Sequence, residues 1–494
     1  MTFDPDAAYN AILARDARFD GRLFVGVTST GIYCRPICRV RTPMKENCRF
    51  FATAAQAEAA TFRPCMKCRP EIAPGPGLPW TVMDASRTLA RQAALGLDAQ
   101  AANGEAPGVA ALAERLGVSE RHLRRIFLEE HGVTPLQYLQ TRRLHLAKQL
   151  LTDTRLPVAQ VALTSGFRSL RRFNAAFADS YRMNPARLRK VAAESAAASD
   201  GSEPTVTVVL AHRLPYDMPA LLRFVAQRAI PGVETVDGLT IRRSVRAGTL
   251  GAEAGWISAT FVPDVARVRL EFAPALTPAS GRIVAAVRRW LDLDAAPDSI
   301  DTALADLPGA PGLRLPGSVD SFELAVRAVL GQQVTVAAAR TLARRLVATF
   351  GSPLVTPWPD IDRTFPAPET LAALAHSQIA ELGIISARAQ AIVALAQAWP
   401  EIAAALQPRS EPDVLIERLC RLPGIGPWTA HYIAMRVLGW PDAFPPNDIA
   451  VLKAMRQLFG TASWRDVLAR AQAWQPWRSY AVLRLWNSLG APTT

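Results

Sequence analysis

Two pairs of closely spaced cysteines, Cys34-x3-Cys38 and Cys65-x2-Cys68, constrain the folding of this chain more than any other feature. The N-terminus, Met1-Thr-Phe-Asp-Pro-Asp6, is acidic and mixed rather than basic and then apolar, so no secretory leader is expected and a cytoplasmic address follows. There, close cysteine pairs read as metal ligands before they read as disulfides. Four thiolates brought together from two such pairs form the tetrahedral pattern of one structural zinc ion. Spacing alone favours a small zinc knuckle that only holds its own fold. Cys48 stands outside the pattern and is expected to be a buried or bystander thiol.

At 494 residues the chain exceeds a single core, and three or four domains are expected. Half of the residues are apolar, enough for each part to bury a core, and no apolar run approaches membrane-spanning length. The formal charge of +13 points to a polyanionic partner without choosing between DNA, RNA and an acidic membrane surface.

Punctuation and pattern divide the chain. A Pro/Gly cluster at 73–79 closes the cysteine segment, and helical patterning starts at Trp80, with a Gly-containing break at 103–108. A basic helical block runs to about Val191 and ends in a small-residue linker at 192–204. From Thr205 β-branched runs read as strands (206–210, 240–242, 256–261 and 268–272), and from Ser318 helical periodicity returns. Four domains are expected, at 1–75, 80–192, 205–290 and 291–494, giving a multidomain α+β protein. Its parts are a small Zn(Cys)4 domain, an all-α tandem helix-turn-helix domain, an α+β sheet domain and an all-α helix-hairpin-helix domain.

The basic block contains an internal repeat offset by about fifty residues: Leu123, Phe127 and Pro135 recur as Phe173, Phe177 and Pro185. Each copy is a helix, a glycine turn (Gly117, Gly166) and a second helix. Arg121, Arg124 and Arg125 face outward on one copy, and Arg168, Arg171 and Arg172 on the other. An arginine-rich face on an isolated helix is more often merely solvated.

The context of the cysteines, Thr30-Gly-Ile-Tyr-Cys34-Arg35-Pro-Ile-Cys38-Arg39 followed by Phe62-Arg-Pro-Cys65-Met-Lys-Cys68, resembles the N-terminal domain of the Ada adaptive-response regulator. The resemblance implies that Cys34 is both a zinc ligand and the acceptor of a methyl group from a DNA phosphotriester, with Cys38, Cys65 and Cys68 as the other ligands. A zinc-held sulfur stays deprotonated and nucleophilic at neutral pH. Methylation would take the centre from net charge −2 to −1 and favour DNA binding. Arg35, Arg39 and Arg41 lie close enough in sequence to meet phosphates. The tandem helical units, with their Gly-Val-Thr-Pro135 and Arg-Met-Asn-Pro185 closures, resemble the AraC-type DNA-binding domain. That resemblance implies that each second helix enters a major groove.

The C-terminal region carries Leu422-Pro-Gly424-Ile-Gly426-Pro-Trp428-Thr429-Ala, a helix-hairpin-helix turn whose glycines let the backbone approach a DNA phosphate. With Leu313-Arg-Leu-Pro-Gly317, Phe444-Pro-Pro-Asn-Asp448 and Gln475-Pro-Trp-Arg-Ser-Tyr-Ala481, it resembles the helix-hairpin-helix glycosylases, and most closely the AlkA-type 3-methyladenine DNA glycosylase II. The resemblance implies that Asp448 is the catalytic carboxylate, that Trp428, Tyr432, Trp486 and Phe224 form the base pocket, and that Gln333 is the wedge filling the gap left by an everted base. Leu422, Gly424, Gly426 and Thr429 would face DNA. Taken alone, Asn447 or Asp448 reads as a cap of the helix running through Leu452, and each aromatic as a core residue. Trp428 stands where lyase-competent relatives carry a Schiff-base lysine, so base excision without strand cleavage is expected. Ile449 stands where a pocket tyrosine would be expected. Cys420 is alone, so no iron–sulfur centre and no cofactor are expected for this half.

No Pro-Cys-His-Arg stretch of the O6-methylguanine methyltransferase kind occurs. The expectation is a monomeric sensor-regulator fused to a monofunctional glycosylase. It would hold one zinc ion and bind duplex DNA, with RNA polymerase as a further candidate partner and no membrane. The alternatives are a transcription factor whose C-terminal half is a catalytically inactive DNA clamp, and an RNA-binding or RNA-modifying protein.

Overall fold

A computed structural model describes residues 3–75, 85–104, 108–195, 205–251, 253–406, 412–460 and 463–489. Most of the 73–79 cluster, the expected helix start at Trp80 and most of the 192–204 linker lie outside these residues. The helix Pro185–Ser195 continues into the start of that linker. The chain forms two compact units, residues 1–214 with 262–285, and residues 215–261 with 286–494.

In the first unit the cysteine segment builds a four-stranded sheet, which the cysteine spacing did not reveal. The strands β1 (Phe24–Val27), β2 (Ile32–Cys34), β3 (Cys48–Phe51) and β4 (Arg63–Pro64) lie in the order β3-β1-β2-β4. β1 pairs antiparallel with β2 and β3, and the two-residue β4 runs parallel to β2. Strands this short carry too little periodicity to be read from sequence.

The basic block is helical, and its repeat is structural. In the first copy Ser119 caps the helix Glu120–His131; in the second, Ser169 caps Leu170–Tyr181. Each hydroxyl accepts an amide three residues on. Leu123, Phe127, Phe173 and Phe177 are fully buried, so the recurring residues are the core contacts of each copy. The helix Pro135–Asp153 opens on a capping box between Thr134 and Gln137. Its Thr141, His145 and Lys148 share one face by helical spacing and dock on the cysteine segment. Thr141 and His145 bind the Glu58 carboxylate at 2.7 and 2.9 Å, and Lys148 binds Glu71 at 2.6 Å. The Tyr33 hydroxyl also donates to Glu58, at 2.9 Å. An antiparallel pair, β5 (Val206–Ala211) with β9 (Arg267–Phe272), completes the unit.

The second unit contains the antiparallel meander β6 (Glu234–Asp237), β7 (Thr240–Val245) and β8 (Gly255–Val262). Its strands fall on the β-branched runs except β6, where Glu and Asp mask the pattern. The remainder is helical. Helix Ser321–Leu330 is buried on most sides and packs in a core with Ile392, Leu395, Leu415, Leu419, Ile433 and Ala434. Helices Ile449–Phe459 and Arg478–Ser488 join a second core around Trp474 and Met455. Among the described residues no helix is long and apolar enough to cross a membrane.

Candidate metal centre and carboxylate pocket

β2 ends at Cys34, and short turns deliver Cys38, Cys65 and Cys68, so all four sulfurs lie within 4.8 Å of one another and all four residues are buried. Hydrogen bonds within the quartet drive its thiols apart: Cys38 pushes Cys34 up, while Cys34 pulls Cys38 down to about 7 and Cys65 lower still. Four sulfurs packed this closely need a cation to share, and the donor set is that of a zinc site. A cleft of about 270 Å³, lined by Val25, Ile32, Cys34, Val40 and Arg41 among others, borders the quartet. Cys48 lies apart from the quartet and hydrogen-bonds the Met44 carbonyl at 3.3 Å.

Arg39 and Arg41 are exposed. Arg35, expected at a phosphate, is not available: it is 2% exposed, its guanidinium pairs with Asp20, and it donates to the Cys68 carbonyl at 3.0 Å. Its backbone N–H points at the Cys68 sulfur at 3.4 Å. Arg35 braces the metal loop instead. On the helical repeat Arg121, Arg168, Arg171 and Arg172 are exposed. Arg124 and Arg125 are exposed too, but form ion pairs along their own helix with Glu120 and Glu129.

In the second unit the hairpin joins helix Pro412–Cys420 to helix Pro427–Val437. Gly424 has φ +75°, and a Cβ there would sit 2.9 Å from that of Ala391, so the turn requires glycine twice over. Gly426 is the N-cap of the second helix and supplies no side-chain cap, which leaves the first-turn amides to other acceptors. Leu422 is half-buried against the core. Thr429, expected to face DNA, is buried, and its hydroxyl accepts Gln332 Nε2 at 3.0 Å. The same amide nitrogen donates to the Gly424 carbonyl at 2.9 Å. Gln332 thus ties the hairpin to the adjoining loop, where Gln333 is exposed with φ +52°.

Asp448 is 4% exposed and heads helix Ile449–Phe459, where its Oδ1 accepts the Val451 amide at 2.8 Å. The cap suggested by sequence is therefore real, but it occupies one oxygen only. Oδ2 accepts the Trp428 indole N–H at 2.8 Å, and Trp486 Nε1 lies 3.4 Å from Oδ1. Trp428 stacks on Tyr432 with rings 5.4 Å apart and 6° from parallel, and Trp486 lies 6.2 Å from Tyr432. Three of the four expected aromatics therefore gather around the carboxylate. The fourth, Phe224, has the Arg228 guanidinium 3.7 Å over its ring and that of Arg436 at 4.7 Å. Ile449 is 83% exposed beside the carboxylate.

Sequence reading missed the cations behind these rings. Arg436 donates to the Tyr432 hydroxyl at 2.7 Å and anchors on the carbonyls of Pro316 and Gly317. Burial pushes the Tyr432 phenol up, but Arg436, Arg228 and Arg327 outweigh it and leave it below its ordinary value. Behind them Arg243 bridges Glu323 at 2.5 Å and Glu234 at 3.3 Å. The available signal was i,i+4 spacing, in Phe224 with Arg228, Glu323 with Arg327, and Tyr432 with Arg436.

Residues 7–71 match the metal binding domain of Ada and residues 112–191 a helix-turn-helix domain. Residues 207–320 match the AlkA N-terminal domain, and 326–479 the HhH-GPD superfamily of base excision DNA repair proteins. A probable bifunctional transcriptional activator/DNA repair enzyme AlkA of Mycobacterium tuberculosis (strain CDC 1551 / Oshkosh) is 39% identical over 509 residues, covering 100% of this chain and 98% of that protein. DNA-3-methyladenine glycosylase 2 of Escherichia coli (strain K12) is 37% identical over 56% of this chain and 95% of its own length. The bifunctional transcriptional activator/DNA repair enzyme AdaA of Bacillus subtilis (strain 168) is 30% identical over 38% of this chain and 83% of its own. The chain belongs to the family of the bifunctional transcriptional activator/DNA repair enzyme AlkA, which joins an Ada-type zinc-binding domain, a helix-turn-helix domain and an HhH-GPD base-excision domain in one polypeptide.

Proposed function

We propose that the second unit excises alkylated purines such as 3-methyladenine from duplex DNA by hydrolysis, without strand cleavage, and that the first unit is a methyl-accepting, DNA-binding transcriptional regulator. The observation that carries the excision reading is the buried Asp448 carboxylate set among Trp428, Tyr432 and Trp486.

A purine alkylated at N3 or N7 is cationic and leaves readily once everted from the helix. The developing oxocarbenium sugar needs a fixed negative charge, which the buried Asp448 carboxylate supplies. The same carboxylate orients the attacking water. Electron-rich rings attract the cationic base by about 1–2 kcal/mol, which favours damaged over normal purines. Trp428 carries no amine, so no Schiff base with the sugar forms through that position. Gln333, exposed beside the hairpin, enters the space vacated by the base, while the backbone N–H groups of Gly424 and Gly426 themselves hold a phosphate. Asp448→Asn should abolish release of 3-methyladenine from methylated DNA. Equal release by variant and wild type would remove the carboxylate from the mechanism.

In the first unit the Cys34 thiolate attacks the methyl carbon of a phosphotriester. A C–S bond forms as the C–O bond breaks, and the phosphodiester leaves as an anion. Cys34, Cys38, Cys65 and Cys68 would hold the zinc ion, which when bound would keep the sulfurs deprotonated. In this reading the exposed Arg39 and Arg41 meet the backbone, and the exposed Arg121, Arg124, Arg125, Arg168, Arg171 and Arg172 meet DNA from the two capped helices. Arg124 and Arg125 must exchange their intrahelical carboxylates to do so. Cys34→Ser should lose radiolabelled methyl uptake from phosphotriester DNA, and label on another cysteine would overturn the assignment. A cytoplasmic address suits both activities.

A further inference from the structure

We infer that Trp428 and Trp486 are positioning residues that hold the Asp448 carboxylate in one rotamer through their indole N–H groups, a role separate from any stacking on the base. This rests on the excision reading above.

An ionised carboxylate offers about four lone-pair sites. Here Oδ1 receives the Val451 amide at 2.8 Å and the Trp486 indole at 3.4 Å, and Oδ2 receives the Trp428 indole at 2.8 Å. Three directions are filled, and among the described residues Oδ2 has no second protein donor. A helix cap needs one oxygen, and a buried indole needs one acceptor. Neither need alone brings two tryptophans to the same carboxylate.

Trp428 is itself held. Its ring lies flat on Tyr432, whose hydroxyl is held by Arg436 Nη1 at 2.7 Å, and Arg436 is fixed to the carbonyls of Pro316 and Gly317. A continuous line of contacts therefore runs from the backbone at 316–317 through Arg436, Tyr432 and Trp428 to Asp448. With two donors and the cap amide engaged, the carboxylate cannot rotate to follow solvent, and its remaining lobe keeps one direction. A charge aimed in advance stabilises an oxocarbenium ion without reorganisation at the moment of reaction.

The test is Trp428→Phe in the full-length, zinc-loaded chain, which keeps a ring to lie on Tyr432 and removes the donor. Base release from methylated DNA is measured for kcat and KM. Affinity is measured for duplexes carrying a cationic pyrrolidine or a neutral tetrahydrofuran at the abasic position. We expect kcat to fall about a hundredfold with KM nearly unchanged, and the preference for pyrrolidine over tetrahydrofuran to collapse. Trp486→Phe, which removes the longer bond, should show the same pattern more weakly and serves if the first variant fails to fold. A purely structural tryptophan would weaken both analogues in equal proportion, and that result overturns the inference. So does a kcat kept within about threefold of wild type by both variants. If Asp448→Asn still releases base, the excision reading fails. If it is inactive while both tryptophan variants act normally, only the positioning role fails.

Discussion

Lys148 places its ammonium 2.6 Å from the Glu71 carboxylate, with the two side chains 1% and 0% exposed. Arg69 reaches the same carboxylate at 2.9 Å and Asp153 at 2.6 Å, so the cysteine segment is joined to helix Pro135–Asp153 by a buried set of charges. Breaking such a pair from one side leaves an uncompensated charge, which costs about 3–5 kcal/mol. Lys148→Met should lower the stability of the first unit by that amount in urea unfolding. Lys148→Met combined with Glu71→Leu should recover most of it. A loss in the single variant no larger than a surface substitution, about 0.5 kcal/mol, would show that the pair stabilises nothing.

Removing the metal should unfold the cysteine segment and leave the second unit active. Zinc-site folding energy is binding energy, and the strands that carry the quartet are only two to four residues long. Chelation, or Cys38→Ser, should expose amides in 24–64 to hydrogen exchange while base release by the second unit continues. The metal content of wild type should be about one zinc per chain. Protection of that sheet unchanged by chelation would count against a metal-dependent fold.

The second unit should be more stable in mild acid than at neutral pH. Burial pushes the Asp292 carboxyl up to about 6, against Arg314, with Tyr480 donating to it at 2.8 Å. A folded-state value above the ordinary 3.8 gives stability that is present below that value and lost as pH rises through about 6. The thermal midpoint of the second unit, followed in the whole chain, should fall across that window, and Asp292→Asn should flatten the fall. A variant with the wild-type slope would assign the dependence to another group.

Gly424→Ala tests the hairpin. Its φ of +75° and the 2.9 Å approach to Ala391 predict a loss of about 1–3 kcal/mol. DNA affinity should weaken for damaged and undamaged duplex alike, because a phosphate contact carries no base information. Unchanged binding in both would remove the turn from the interface.

What the sequence determined by itself is whatever rests on short-range spacing. The cysteine pairs, the glycine turn of the hairpin and the repeat of buried Leu123/Phe127 and Phe173/Phe177 all follow from residues within about one helical turn or one loop of each other. Tertiary structure decided where polar side chains spend their hydrogen bonds. Arg35 and Thr429 read as DNA-facing but are turned inward, by Asp20 and Gln332 respectively. Arg436, marked in sequence only by its i,i+4 spacing from Tyr432, anchors the aromatic rings on a carbonyl 120 positions away. Asp448 caps its helix with one oxygen and gives the other to Trp428, twenty residues earlier. A buried charge must find a partner wherever the fold offers one, and no local pattern records which distant group that is.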